Sequence, residues 1–325
     1  MKYIPDYQLN ILTDEEFESG IKKITEKIEK CRVSGFFDSY DGKKIFYEYF
    51  LAQDSKASVI IVHGLSEFTK KYYEVTDYFL NQGYNVFLFD QRCHGFSTRL
   101  TDRIDLIHVD SFKDYTKDLS VFIDEIVLPA DKKPLYIYSH SMGGAVTALY
   151  LSKNSDKIKK AILSAPLIEP YVNMVSPPIA RVGVGFCRLF QGGKTKFKYS
   201  KEFDPEYKFE KAIDESHSRF VHNITMRKQE PNYQSTPMTL GWVYNSLVVH
   251  RSILKSSAVK GIKTPILLIS AENDTVVRTD MHHKFAKKCK TCRLVSIKNT
   301  DHAMLTGSHR VIAEHLNLVF SFFAD

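Results

Sequence analysis

The run Tyr136-Ile137-Tyr138-Ser139-His140-Ser141-Met142-Gly143-Gly144 carries an apolar strand straight into a serine, and then into glycines that open a helix. That order describes a nucleophile elbow, a strand-to-helix turn sharp enough to hold its serine in strained backbone geometry with the hydroxyl presented at the end of the strand. Only small side chains two positions to either side leave room for the turn, and Ser139 and Gly143 meet that condition. Ser139 stands where the G-x-S-x-G pattern has its first Gly, a departure made tolerable by its short hydroxymethyl group. A serine in a glycine-rich turn is common, so the reading rests on the strand before it and the helix after it.

Outward from the elbow, short apolar runs alternate with helical periodicity. Strands are expected over 57–62, 85–90, 134–139, 158–164, 264–271 and 292–298, and helices over 71–82, 111–127, 142–153, 280–289 and 308–323. This alternation predicts an α/β protein with a mainly parallel, doubly wound sheet covered on both faces. Upstream, Gly35 to Ser39 and Lys44 to Leu51 read as two antiparallel strands joined at Asp41-Gly42, a dipeptide suited to a tight hairpin. Residues 14–30 space Phe17, Ile21, Ile24 and Ile28 as one face of an amphipathic helix, a packing arm. The interval 167–255 breaks the alternation, being too long for a crossover and too rich in aromatic and charged residues for a bare loop. It reads as an insertion that divides a core of 1–166 and 256–325. Within it, the apolar segment from Ile179 to Phe190 reads either as a helix packed on the main domain or as a substrate-facing lid surface.

A serine hydroxyl is a weak nucleophile at neutral pH and needs a base, which in turn needs an acid to fix its tautomer. After an elbow of this kind the acid follows one late strand and the His follows the next. Pro265-Ile266-Leu267-Leu268-Ile269-Ser270 is a buried-strand run, and Ala271-Glu272-Asn273-Asp274 comes at its end. Asp274 is the candidate acid, with Glu272 its local competitor and helix capping its plain structural alternative. After Leu294-Val295-Ser296-Ile297, a polar loop carries His302, the candidate base; the other eleven histidines precede the serine, sit in the insertion or lie in predicted helices. A developing oxyanion needs preorganised N–H donors. Met142 supplies one. Val59-Ile60-Ile61-Val62-His63-Gly64-Leu65 is a strand ending in His-Gly, which makes the amide of Leu65 the second candidate.

Composition narrows the class further. The 325 residues are 43% hydrophobic and 26% charged, which excludes a disordered or fibrous chain. The net charge is +7, yet the basic residues are scattered and form no nucleic-acid motif, so no nucleic-acid partner is expected and a mild bias toward anionic membrane surfaces is all the charge implies. Five cysteines are an odd, sparse set that fits a reducing compartment. Cys289 and Cys292 form a C-x-x-C without a second pair at zinc spacing, so no metal is expected. Met1-Lys2-Tyr3-Ile4-Pro5-Asp6 lacks the features of a secretory leader, and no 18-residue apolar stretch occurs. A cytoplasmic protein is expected, with peripheral contact at the inner face of the cell membrane left open.

With these residues in place the chain resembles the bacterial lysophospholipases and the related monoglyceride lipases of the α/β-hydrolase superfamily. The resemblance is carried by His63-Gly64 with Tyr72-Tyr73 beyond it, by Asp90-Gln91-Arg92-Cys93-His94-Gly95-Phe96-Ser97, by Ser139 through Gly144, and by Asp274 and His302. It spans about residues 57–323. Ser218-Arg219-Phe220 and Thr239-Leu240-Gly241-Trp242-Val243 tilt it toward the lysophospholipases. Cys93 stands where the family's D-x-R-G-H-G has Gly. The resemblance implies an α/β-hydrolase fold with an inserted helical cap, and hydrolysis of an ester of a single-acyl lipid through an acyl-enzyme without metal or organic cofactor. Ser141 speaks against dehalogenases and epoxide hydrolases, which place Asp at the elbow. A general carboxylesterase remains an alternative. So does a proline-type aminopeptidase, for which Glu202, Asp204 and Glu206 could supply carboxylates. A non-catalytic binding protein on the same fold is disfavoured because all three positions are filled.

Overall fold

A computed structural model describes residues 9–172, 175–207, 209 and 215–325; the N-terminal stretch read against a leader, Met1 to Asp6, lies outside them. One eight-stranded sheet organises the chain: β1 (Val33–Asp38), β2 (Lys44–Phe50), β3 (Ala57–Val62), β4 (Tyr84–Phe89), β5 (Leu135–His140), β6 (Lys160–Ser164), β7 (Ile266–Ala271) and β8 (Cys292–Ile297). The spatial order is β1-β2-β4-β3-β5-β6-β7-β8. The pairs β1·β2 and β2·β4 are antiparallel and every later pair is parallel. The helices are α1 (Phe17–Glu29), α2 (Tyr73–Asn81), α3 (Phe112–Phe122), α4 (Leu128–Ala130), α5 (Met142–Asn154), α6 (Pro177–Gln191), α7 (His217–Gln229), α8 (Leu240–Ile253), α9 (Ser256–Gly261), α10 (Thr279–Lys288) and α11 (His309–Ala324).

The central strands are buried on both sides because their residues alternate between two cores. Ile60, Val62, Phe87, Phe89, Ile137, Leu163 and Leu268 join α3, α5 and α10 in one. Their neighbours Val59, Ile61, Val86, Leu88, Tyr138, Ile162 and Leu267 join α2 and α11 in the other. This is the doubly wound arrangement expected of the sequence. α1 lies on the second face, where Lys27 donates to Asp77 of α2 at 2.6 Å.

Three local differences have physical reasons. β7 begins at Ile266 because Pro265 has no N–H for the ladder and the Thr264 hydroxyl is bonded to the Ser155 carbonyl instead. The hairpin is wider than the dipeptide Asp41-Gly42: Ser39 and Lys43 close it through a backbone bond of 2.9 Å, and only Gly42, at φ +73°, takes the left-handed conformation. The helix expected over 111–127 stops its α geometry at Phe122 and widens into a π turn over Ile123–Val127, ahead of Pro129 in α4.

Between β6 and β7 the described residues hold the α-helices α6, α7, α8 and α9, the first three of them within the interval 167–255. α6 packs on α8, and Gly185 permits the approach, since a Cβ there would lie 3.1 Å from the Tyr244 ring. The face turned outward is apolar and bare, with Ile179, Val182, Phe186, Leu189 and Phe190 between 62% and 78% exposed. Neither reading of this segment anticipated that: the helix buries no residue.

Candidate active site

Ser141 sits between β5 and α5 at φ 50°, ψ −115°. A β-carbon-bearing residue avoids positive φ, so the surrounding bonds must hold it there. They do: its N–H donates to the Ser164 carbonyl at 3.0 Å, and its own carbonyl accepts from Gly144 at 2.9 Å and Leu167 at 2.8 Å. Gly143 is obligatory at this turn, because a Cβ would lie 2.0 Å from the Val62 carbonyl oxygen. The departure at residue 139 is accommodated by chemistry as well as size, since the Ser139 hydroxyl donates to the Ile162 carbonyl of β6 at 2.8 Å.

The distant residues singled out in the sequence come together here. His302 Nε2 is 2.8 Å from Ser141 Oγ, and His302 Nδ1 is 2.8 Å from Asp274 Oδ2. The Asp274 side chain is wholly buried. Its Oδ1 accepts from the backbone N–H groups of Val276 and Val277 at 2.9 Å each, so capping and orienting the imidazole are done by different oxygens of one carboxylate. Burial pushes the Asp274 carboxyl up, but the bonds from His302 and from the two amides outweigh it and hold the group below its usual range. Glu272 turns instead to the Asn299 amide at 3.0 Å.

Leu65 and Met142 are brought to the same carboxyl edge by strand register. Val62 of β3 lies opposite Ser139 of β5, and each candidate amide follows its strand residue by three positions. The loop after β3 is tightly held: Gly64 N–H donates to Glu67 Oε2 at 2.5 Å, and the Tyr72 hydroxyl to the same oxygen at 2.7 Å. Lys71 donates to the other oxygen at 2.6 Å. Glu67 is buried, and although burial raises its pKa, Lys71 and its neighbours depress it well below the ordinary value.

Sequence reasoning missed two further features. Glu67 falls in a loop, where a Glu three residues after His-Gly has no periodic signature. His140 packs its ring 5.0 Å from that of His302, and burial lowers its pKa to about 4, keeping it neutral beside that imidazole. A cleft runs past His140 and Ala303, the chain neighbours of Ser141 and His302, and is walled by Phe17 and Ile21 of α1 and by Met226 of α7. The motif residues Arg219 and Thr239 act as anchors: Arg219 Nε donates to Glu74 Oε2 of α2 at 2.9 Å, and Thr239 Oγ1 is 2.8 Å from His108 Nδ1. Cys289 and Cys292 are both free thiols, and among the described residues no cluster suited to a metal ion occurs.

Among known proteins, residues 53–308 match the family described as serine aminopeptidase, S33. Lysophospholipase L2 of Escherichia coli is 27% identical over 252 residues, 77% of this chain and 73% of that one. The probable lysophospholipase L2 of Haemophilus influenzae is 25% identical over 268 residues, 81% of this chain and 82% of its own. A crystal structure of a soluble variant of monoglyceride lipase from Saccharomyces cerevisiae, in complex with a substrate analogue, shares the fold with a TM-score of 0.71 at 18% identity, covering 89% of this chain and 93% of that one. The sheet order and the elbow define an α/β-hydrolase. The chain belongs to the serine aminopeptidase S33 family of that fold.

Proposed function

We propose that this hydrolase cleaves the carboxylic ester bond of single-acyl lipids, a lysophospholipid or a monoacylglycerol, through an acyl-enzyme. The observation that carries the reading is the unbroken relay from Ser141 Oγ through both ring nitrogens of His302 to Asp274, each link 2.8 Å long. Ser141 Oγ attacks the ester carbonyl as its proton passes to His302 Nε2. Asp274 stays ionised and keeps the Nδ1–H of the ring in place. The carbonyl oxygen, now an oxyanion, is held by the N–H groups of Leu65 and Met142. Collapse expels the alcohol, which takes the proton back from Nε2. A water molecule then gives its proton to the same nitrogen, attacks the acyl carbon and releases the fatty acid, restoring the Ser141 hydroxyl. Neither metal nor organic cofactor enters this chemistry.

In this reading residues 167–255 form a cap over the core of 1–166 and 256–325, and the cleft between α1 and α7 takes the acyl chain. The names of the relatives from Escherichia coli and Haemophilus influenzae support the lipid class. The bare apolar face of α6 supports work against a lipid surface, and five free thiols fit a cytoplasmic location at the inner face of the membrane. The family description leaves a peptidase reading, but two of the three carboxylates it would use are held in ion pairs, and the third, Asp204, accepts the backbone N–H of Glu206 at 2.9 Å. Glu202 pairs with Arg103 at 2.8 Å and with Lys196, and Glu206 with Lys228 at 3.1 Å.

A fluorophosphonate probe is expected to label the wild type and spare Ser141→Ala; equal labelling of both removes the nucleophile assignment. A panel of lysophospholipids, monoacylglycerols, short nitrophenyl esters and aminoacyl amides then separates the readings. Turnover confined to the amides overturns the lipid assignment.

A further inference from the structure

Beside the apolar stripe of α6 runs an open groove of about 710 Å³ between α6 and α8. Its walls carry Arg181, Arg188, Lys194 and Arg251 together with Val182, Leu189 and Tyr244. Arg181 is already committed to buried Glu169 at 3.0 Å. The other three differ. Among the described residues Arg188 rests over the Tyr244 ring at 5.1 Å, and none of Arg188, Lys194 and Arg251 forms an ion pair with a carboxylate. One acid lines the groove, Asp110, whose exposed carboxylate is bonded to His108 at 3.1 Å. Three cations against one acid, open to solvent, leave an uncompensated positive groove on the flank of the same helix that presents five bare apolar side chains.

The helical positions set the arrangement. Val182 and Leu189 belong both to the stripe and to the groove wall, so the two features share a border along one helix. An interfacial helix lies with its apolar face among acyl chains and its cationic flank at the level of the headgroups. We infer that the α6/α8 groove seats the phosphates of anionic phospholipids, so that the protein docks selectively on negatively charged membranes with the α6 stripe inserted. The inference deepens the lipid-surface reading of the cap and rests on it, while leaving the chemistry at Ser141 untouched. A cation close to an anionic leaflet strengthens partitioning by roughly fivefold, so the three together contribute on the order of a hundredfold.

The test is partitioning of the full chain onto phosphatidylcholine vesicles with and without phosphatidylglycerol, read by co-sedimentation. Wild type is expected to prefer the anionic vesicles and to be released as salt rises. The triple variant Arg188→Gln, Lys194→Gln, Arg251→Gln is expected to lose that preference by on the order of a hundredfold, and Phe186→Ser with Leu189→Ser to bind neither vesicle. Hydrolysis of a soluble nitrophenyl ester and fluorophosphonate labelling, expected unchanged in both variants, show that the fold and the Ser141 chemistry survive independently of docking. Equal binding of wild type to both vesicles overturns the inference, as does wild-type-like binding by the triple variant.

Discussion

A methyl group at Gly143 would meet the Val62 carbonyl oxygen at 2.0 Å, a backbone atom that cannot rotate aside. Gly143→Ala is therefore expected to destabilise the fold by several kcal/mol, seen as a large drop in the thermal midpoint, while Ser139→Ala removes one hydrogen bond and costs about 1 kcal/mol. On the proposed mechanism, Ser141→Ala or His302→Ala lowers kcat by roughly 10⁴-fold or more, and Asp274→Asn somewhat less. Near-normal turnover of the His302 variant would place the base elsewhere. These positions were legible in the sequence because strand ends, a glycine-flanked serine and a single loop histidine are local patterns. The contact of His140 with His302 was not, since an elbow that brings the Ser141 hydroxyl to an imidazole does not say which way the side chain of the preceding residue turns. Cys93 shows the same limit: it is buried at φ +65°, a conformation suited to the Gly of the family pattern, and its neighbours must hold it there against its own preference.

The elements were predicted best where periodicity alone defines them, as in β3, α5 and α11. The interval 167–255 announced itself by length, yet how its helices are fastened did not. Arg219 of α7 reaches Glu74 across 145 residues of sequence, and it also donates to the Leu12 carbonyl at 2.8 Å and lies over the Phe17 ring at 4.7 Å. Long-range pairing of this kind leaves no repeat to read. Removing the guanidinium would strand a buried carboxylate, so Arg219→Met is expected to cost roughly 3–5 kcal/mol. Hydrogen exchange should show the loss concentrated in α1 and α7; protection unchanged there would mean that the pair is not what fastens them.

For the whole molecule, acid is the vulnerable direction. Burial lowers the pKa of His140 and His282 to about 4 and that of His315 to about 3, from an ordinary 6.5. His282 is bonded to Ser270 and to the Pro166 carbonyl, and His315 to the Tyr138 hydroxyl. Above pH 6.5 both folded and unfolded chains keep these rings neutral. Below it the unfolded chain binds protons that the folded one refuses until about pH 4, so stability is lost as pH falls through that window, by about 1.4 kcal/mol per unit for each such ring. Thermal midpoints measured from pH 7.0 downward should decline steeply, and His315→Gln should flatten the decline; an unaltered slope would mean that the ring does not titrate as its burial demands.

On the proposed reading of residues 167–255 as a cap, its two ends leave and rejoin the sheet on adjacent strands, β6 and β7, whose backbones are paired from Ala161 with Ile266 to Ser164 with Ile269. The catalytic edge is thus stitched shut beneath whatever lies between them. Such a cassette can lengthen, shrink or be traded for another during divergence while the residues below keep their places, so new substrate ranges become reachable without rebuilding the chemistry.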